Sequence, residues 1–296
     1  LRAGGALTAG NTVTGRGGAV IEPVAVGTSL GIAGGTGSLQ ISQATLDRFA
    51  GIASLTLGRS DGSGAVDVGN LVLPTTLTLR SSSGTVTFGG TVDSATGFAH
   101  GLTVETAALT TFAGSVGGTN ALGSLSVAHA AQVDAASVRT SGTQHYAGAL
   151  TFGADSELHA PALLLDAGLA AGAHDVGLFT NSLGLAGSVS GTGSAGLASF
   201  AANGSIALAG AAGTLELSQS LLHQFAGLSL LRIGRADGTA AITASALTLA
   251  TDTTLHNGSG NVTLGTVAGN GHALAVEAAG TTRFGGAVSG VSTLST

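Results

Sequence analysis

Arg59-Ser60-Asp61-Gly62 and Arg235-Ala236-Asp237-Gly238 place a guanidinium and a carboxylate two residues apart, twice in one chain. On a strand edge that pair can grip a saccharide, because the guanidinium fork matches two oxygens at once. The same residues also suit a turn in which Asp-Gly closes a corner and the Asp pairs with its Arg. Recurrence favours the turn, since a structural repeat must rebuild its corners. His145 and Tyr146, behind Gln144, form the most crowded polar-aromatic spot and a second candidate surface contact. The plain alternative there is a strand with His outward and Tyr inward.

The other chemistry-bearing residues are dispersed. The eight His (His100, His129, His145, His159, His174, His223, His256 and His272) show neither the helical i, i+4 spacing nor the Cys partners of a zinc site. The 15 acidic residues are thinly spread and Lys is absent, unlike the clustered Asp, Arg or Lys grooves of polysaccharide lyases and hydrolases. Gly34-Gly35-Thr36-Gly37 continues with Ser38 and misses the Asp of a calcium-binding nonapeptide. No catalytic, metal or cofactor-binding residue is assigned, and neither an enzyme activity nor a cofactor is expected. Asn203, Asn257 and Asn261 each open an Asn-x-Ser/Thr acceptor sequence, although Asn-Gly at the first two also reads as a plain turn.

These residues sit in an unusual background. Gly is 51 of 296 residues and charged residues are 8%, while Ala, Val, Leu and Ile supply most of the 44% apolar content. A packed core is therefore expected. The net charge of −6 and the lack of a basic run speak against nucleic acid and anionic membranes as partners. No stretch approaches the ~20 apolar residues of a membrane helix, so no membrane insertion is expected. Cys is absent, which excludes a disulfide framework and suits export in the unfolded state. The chain opens on Leu1, without a signal peptide, and holds no Met, as an internal or processed piece would.

Two stretches organise the whole. Gly37–Gly62 and Gly213–Gly238 align without a gap at an offset of 176 residues, with about half of their positions identical. The offset extends outward: Ser29–Gly34 matches Ser205–Gly210, and Gly84–Gly89 matches Gly260–Gly265. Residues 1–176 thus form one repeat and 177–296 an incomplete second, read as one continuous rod without a linker. Within each repeat, three- to five-residue alternations such as Leu55-Thr56-Leu57, Leu77-Thr78-Leu79 and Val86-Thr87-Phe88 carry the strand period and end at Gly, Ser, Asn or Asp. Leu46, Phe49 and Ile52, with Leu222, Phe225 and Leu228, are three apart after the N-cap candidates Ser42 and Ser218, which predicts one or two helical turns laid as an apolar lid.

Many short strands with Gly-rich corners predict an all-β fold, a right-handed parallel β-helix (β-solenoid), rather than a string of β-sandwiches. Coils of about 20 residues stacked at ~4.8 Å would make a rod of roughly 70 Å. Phe88, Phe112, Phe152, Phe179 and Phe200 are expected to fill wide spots inside it.

Gly35–Leu57, Ile206–Ile233 and Leu102–His159, the last with its QHYAG and LTFGAD strings, resemble repeats of giant haemagglutinin-like exoproteins of bacteria, the filamentous-haemagglutinin type of adhesin. The resemblance implies a stalk segment of a fibrous adhesin, secreted or on the bacterial cell surface, serving attachment, aggregation or biofilm matrix. Its partners would be polysaccharide or a host or neighbouring cell surface, with end-to-end self-association. A self-assembling extracellular filament and a carbohydrate-binding or carbohydrate-active β-helix are the alternatives.

Overall fold

Alternation of apolar and polar residues over three to five positions buries every second side chain, and the chain realises that pattern as short parallel strands stacked in coils. The computed structural model describes residues 1–296. By packing, the chain divides into two compact units, Leu1–Thr151 and Phe152–Thr296, a partition different from that of the sequence repeats. Each unit is a right-handed parallel β-helix.

In the first unit one face stacks Arg2–Ala3, Gly18–Pro23, Ser54–Gly58, Thr76–Arg80, Gly101–Glu105, Ser124–Val127 and Gln144–Tyr146. Leu55, Leu77, Leu102, Leu125 and Gln144 follow one another inward in register, each 19 to 25 residues after the last. Thr56, Thr78, Thr103, Ser126 and His145 form the outward row between them. A second face stacks Leu30–Ile32, Val66–Val68, Val86–Phe88, Thr110–Phe112 and Ala131–Val133. There the Phe88 and Phe112 rings lie 4.8 Å apart and nearly parallel inside the coil.

The second unit repeats the plan. Ser156–His159, Val176–Phe179, Ser194–Ala198, Leu230–Arg235, Thr253–Asn257 and Leu274–Ala278 stack on one face, and Ile206–Leu208, Ile242–Thr248, Val262–Ala268 and Thr282–Phe284 on another. Phe152 is buried as expected, but Phe179 and Phe200 are only half-buried. Phe179 follows the inward Leu178, so the alternation turns it outward, where it stacks on His159 at 4.2 Å.

The duplicated stretch builds the one departure from a regular coil. Ala19 pairs with Leu55 and Ala195 with Leu231, a step of 36 residues where neighbouring coils take 19 to 25. The excess makes an added rung and a helical lid. Leu30–Ile32 is followed, after six residues, by Leu39–Ile41 lying parallel against it, and Ile206–Leu208 by Leu215–Leu217. Reversing the chain so tightly needs left-handed backbone. Ala33 and Gly34 supply it at φ of 50° and 96°, Ala209 and Gly210 at 52° and 93°.

Helix α1 (Gln43–Leu46) then runs into a 3₁₀ turn at Asp47–Phe49, and α2 (Gln219–His223) stands at the same place in the second copy. Ser42 and Ser218 cap them, each Oγ accepting a backbone amide at 3.2 Å. Leu46, Phe49, Leu222, Phe225 and Leu228 are buried beneath, with Ile52 half-buried.

Candidate functional site

The two Arg-Asp corners have one geometry. Arg59 donates from Nε and Nη2 to the two carboxylate oxygens of Asp61, each at 2.8 Å, while Nη1 reaches the Pro23 carbonyl at 3.3 Å. Arg235 grips both oxygens of Asp237 in the same way, and its Nη1 donates at 3.2 Å to the carbonyls of Ser199 and Phe200. Arg235 also lies over the Phe179 ring, 5.5 Å from its centroid. The hydrogen bond from Arg59 holds the Asp61 carboxyl below its ordinary range against the opposing effect of burial, and Arg235 does the same to Asp237. In both corners the Arg binds the backbone of the coil 35 or 36 residues earlier, so the fork is already occupied by protein.

His145 and Tyr146 separate. Tyr146 is fully buried, so it offers no surface contact; its hydroxyl donates to Gln144 Oε1 at 3.3 Å, and Gln144 Nε2 donates to the Val138 carbonyl at 3.0 Å. Burial pushes the Tyr146 hydroxyl pKa above the ordinary range. His145 is half-buried in the outward row.

Outward carboxylates and amides, in corners and on the strand Val92–Ser94, share a task that the sequence did not reveal. Asp93 Oδ1 accepts the backbone amides of Thr119 and Asn120 at 2.8 and 3.0 Å. Asn70 takes Thr91 at 3.0 Å, Asp155 takes Asp175 at 3.0 Å, Asp252 takes Ala273 at 2.9 Å, and Asn261 takes Thr281 at 2.9 Å. Each bond ties a corner to the next coil, satisfying amides that the strands leave over. Asn257 is buried as well, its Nδ2 donating to the Ala240 carbonyl at 2.9 Å, so that acceptor sequence presents no free amide; Asn203 and Asn261 are exposed.

One groove gathers residues that sequence spacing had kept apart. Ser60, Arg80, Glu105, Thr106 and His129 line a shallow cavity of about 290 Å³ beside the Arg59 corner, with Arg80 Nε 2.6 Å from Glu105 Oε2. The coil brings them together because they lie about one turn apart. No group of three or more His, Asp or Glu stands close enough to hold a metal ion, and no helix is long and apolar enough to cross a membrane. No protein-family model, no curated protein and no solved structure matches the chain.

Proposed function

We propose that the chain is a structural stalk segment of a large fibrous adhesin, exported to the bacterial cell surface or beyond it, and that it acts mechanically rather than as an enzyme. One observation carries this reading: the side chains of Arg59 and Arg235, and of Asp93 and Asp252, are bonded to the backbone of neighbouring coils. Such bonds resist separation of the coils, which is what a stalk requires. The outward Thr and Ser row gives a repeated, weakly interacting surface, and repetition converts weak contacts into firm attachment through effective concentration.

The test is attachment by a non-adherent carrier bacterium displaying one, two or four tandem copies of the chain, scored on polysaccharide-coated surfaces and on cells. Attachment should rise steeply with copy number. Absence of attachment at four copies contradicts the reading. Loss of attachment on Arg80→Ala in a folded chain would instead make the Arg80–Glu105–His129 groove a discrete carbohydrate site.

A further inference from the structure

Of the nine Phe and one Tyr, Phe98 alone is exposed, at 64%. It stands at a coil corner, in the loop between the strands Val92–Ser94 and Gly101–Glu105. Its ring lies on the imidazole of His100, with centroids 5.2 Å apart and planes inclined by 12°. His100 thus covers one face of the ring and leaves the other to solvent.

The loop is pinned in the shape that presents that ring. Ser94, fully buried, donates from Oγ to the Phe98 carbonyl and accepts the His100 amide, both at 3.0 Å. The Phe98 amide donates to the Ala95 carbonyl at 3.0 Å across Gly97, whose φ of 82° tightens the turn. The His100 carbonyl accepts the Gly123 amide of the next coil at 2.7 Å. The second copy carries a shorter loop. Twelve residues separate Gly89 from Leu102, but eight separate their counterparts Gly265 and Leu274, and none of the eight is Phe, Tyr or Trp. Coil packing therefore does not require the longer loop, and in repeat folds such insertions gather on a binding face.

The surroundings of the ring are polar. Gly101 follows His100 directly and stands in the outward row between Thr76 and Ser124, both exposed; its amide lies 3.5 Å from Thr76 Oγ1, and it pairs with Ser124. The missing side chain leaves a notch between those two hydroxyls, where a methyl group would stand 2.7 Å from Ser124 Oγ. Residues 73–78 of the preceding coil and 117–126 of the following one expose no large apolar side chain. A protein partner would call for a contiguous apolar patch. One open aromatic face beside exposed hydroxyls instead suits a ligand that is itself apolar on one face and hydroxylated at its rim. Burial holds the His100 pKa below its ordinary value, so the imidazole under Phe98 is neutral at pH 7.

We infer that Phe98 is a stacking platform for a neutral saccharide, a pyranose with equatorial hydroxyls such as the glucose units of a β-1,4-glucan. The face of such a sugar carries axial C–H groups, weakly positive, which meet the negative face of the phenyl ring. Its rim hydroxyls take Thr76 and Ser124 as partners, since each can donate and accept. A loop already pinned by Ser94 loses little freedom on binding. Alone the contact is weak, and repetition along a fibre strengthens it through effective concentration. The inference rests on the stalk reading only in taking a surface polysaccharide as the partner.

Saturation-transfer NMR on the full chain tests it, with cellotetraose as the probe and maltotetraose, whose axial linkages break the flat face, for comparison. Single chains in solution involve no copy number, so this test can fail while attachment still rises with copy number, and the reverse. The variants are Phe98→Ala and Phe98→Trp; the position is exposed, and circular dichroism checks that both fold. The expected result is saturation of the cellotetraose C–H protons, with affinity lowered about tenfold or more by Phe98→Ala, equivalent to ~1.4 kcal/mol, and kept by Phe98→Trp. A chain that binds no cellotetraose overturns the inference, as does binding that Phe98→Ala leaves unchanged or that maltotetraose matches. Loss of cell attachment in Phe98→Ala without any saccharide binding also overturns it and gives the ring to a protein partner.

Discussion

The side-chain amide of Gln43 brackets the backbone of Val72: Nε2 donates to the Val72 carbonyl at 2.7 Å and Oε1 accepts the Val72 amide at 3.0 Å. Gln219 brackets Thr248 at 2.7 and 2.9 Å. One side chain thus does the work of a strand neighbour, fixing the helical lid to a strand 29 residues later. Gln43→Ala should destabilise the first unit by about 1–2 kcal/mol, the sum of two ordinary net hydrogen bonds. Gln43→Glu, which loses the amide donor, should recover only part. Denaturant midpoints measured side by side would show this order, and equal stability of all three proteins would refute the bracket's importance.

The turn glycines and alanines make a prediction of opposite signs. Gly58 has φ of 102°, and a methyl group there would stand 2.0 Å from the Arg80 carbonyl oxygen. Gly58→Ala should therefore cost on the order of 3 kcal/mol or more through strain and displaced backbone. Ala33 already sits in the left-handed region, so Ala33→Gly should be stabilising by up to about 1 kcal/mol. Thermal melts of the two variants should move in opposite directions.

Acid should weaken both Arg-Asp corners. Because the Asp61 and Asp237 carboxyls have folded pKa values below their unfolded ones, their contribution is complete above the ordinary carboxylate range. It disappears as pH falls through the depressed values. Burial likewise lowers the His100 pKa, which adds loss on the acid side as pH falls below 6.5. Denaturant midpoints taken from neutral pH down to about pH 3 should fall, and Asp61→Asn combined with Asp237→Asn should flatten the lower part of that decline. An unchanged slope in the double variant would remove these corners from the account.

Tyr146 titrates in the other direction. Its folded pKa lies above the ordinary value of 10.0, so the native state keeps a proton that the unfolded chain releases. Stability is unaffected below that value and lost above it. Since the chain has one Tyr, tyrosinate absorbance should rise only as the protein unfolds, in step with circular dichroism. Ionisation that precedes unfolding would show that the hydroxyl is open to solvent.

What the sequence made legible follows from which signals are local. Leu55-Thr56-Leu57 names its own inward and outward faces, and Ser42 with Leu46 and Phe49 names a capped turn, because strand and helix periods operate within a few residues. Pairings across coils were hidden. Asp93 meets Thr119 and Asn120 at a spacing the sequence does not announce, since coil length varies from 19 to 25 residues and a shift of one residue reverses every side chain. The same variation hid the gathering of Arg80, Glu105 and His129, whereas the outward turn of Phe179 was legible in the local alternation of Val176 and Leu178. The added rung was hidden for another reason: Leu30–Ile32 and Leu39–Ile41 read as consecutive strands, and nothing in their residues says that the second returns to lie beside the first.

Stretching single molecules held at both ends tests most directly the central proposal, that this solenoid serves as a tension-resisting stalk. A stalk tied coil to coil should resist force and yield in a series of steps, each releasing roughly 20 residues or ~70 Å of extended chain. A chain that lengthens smoothly, with no force barrier and no steps, would contradict the account.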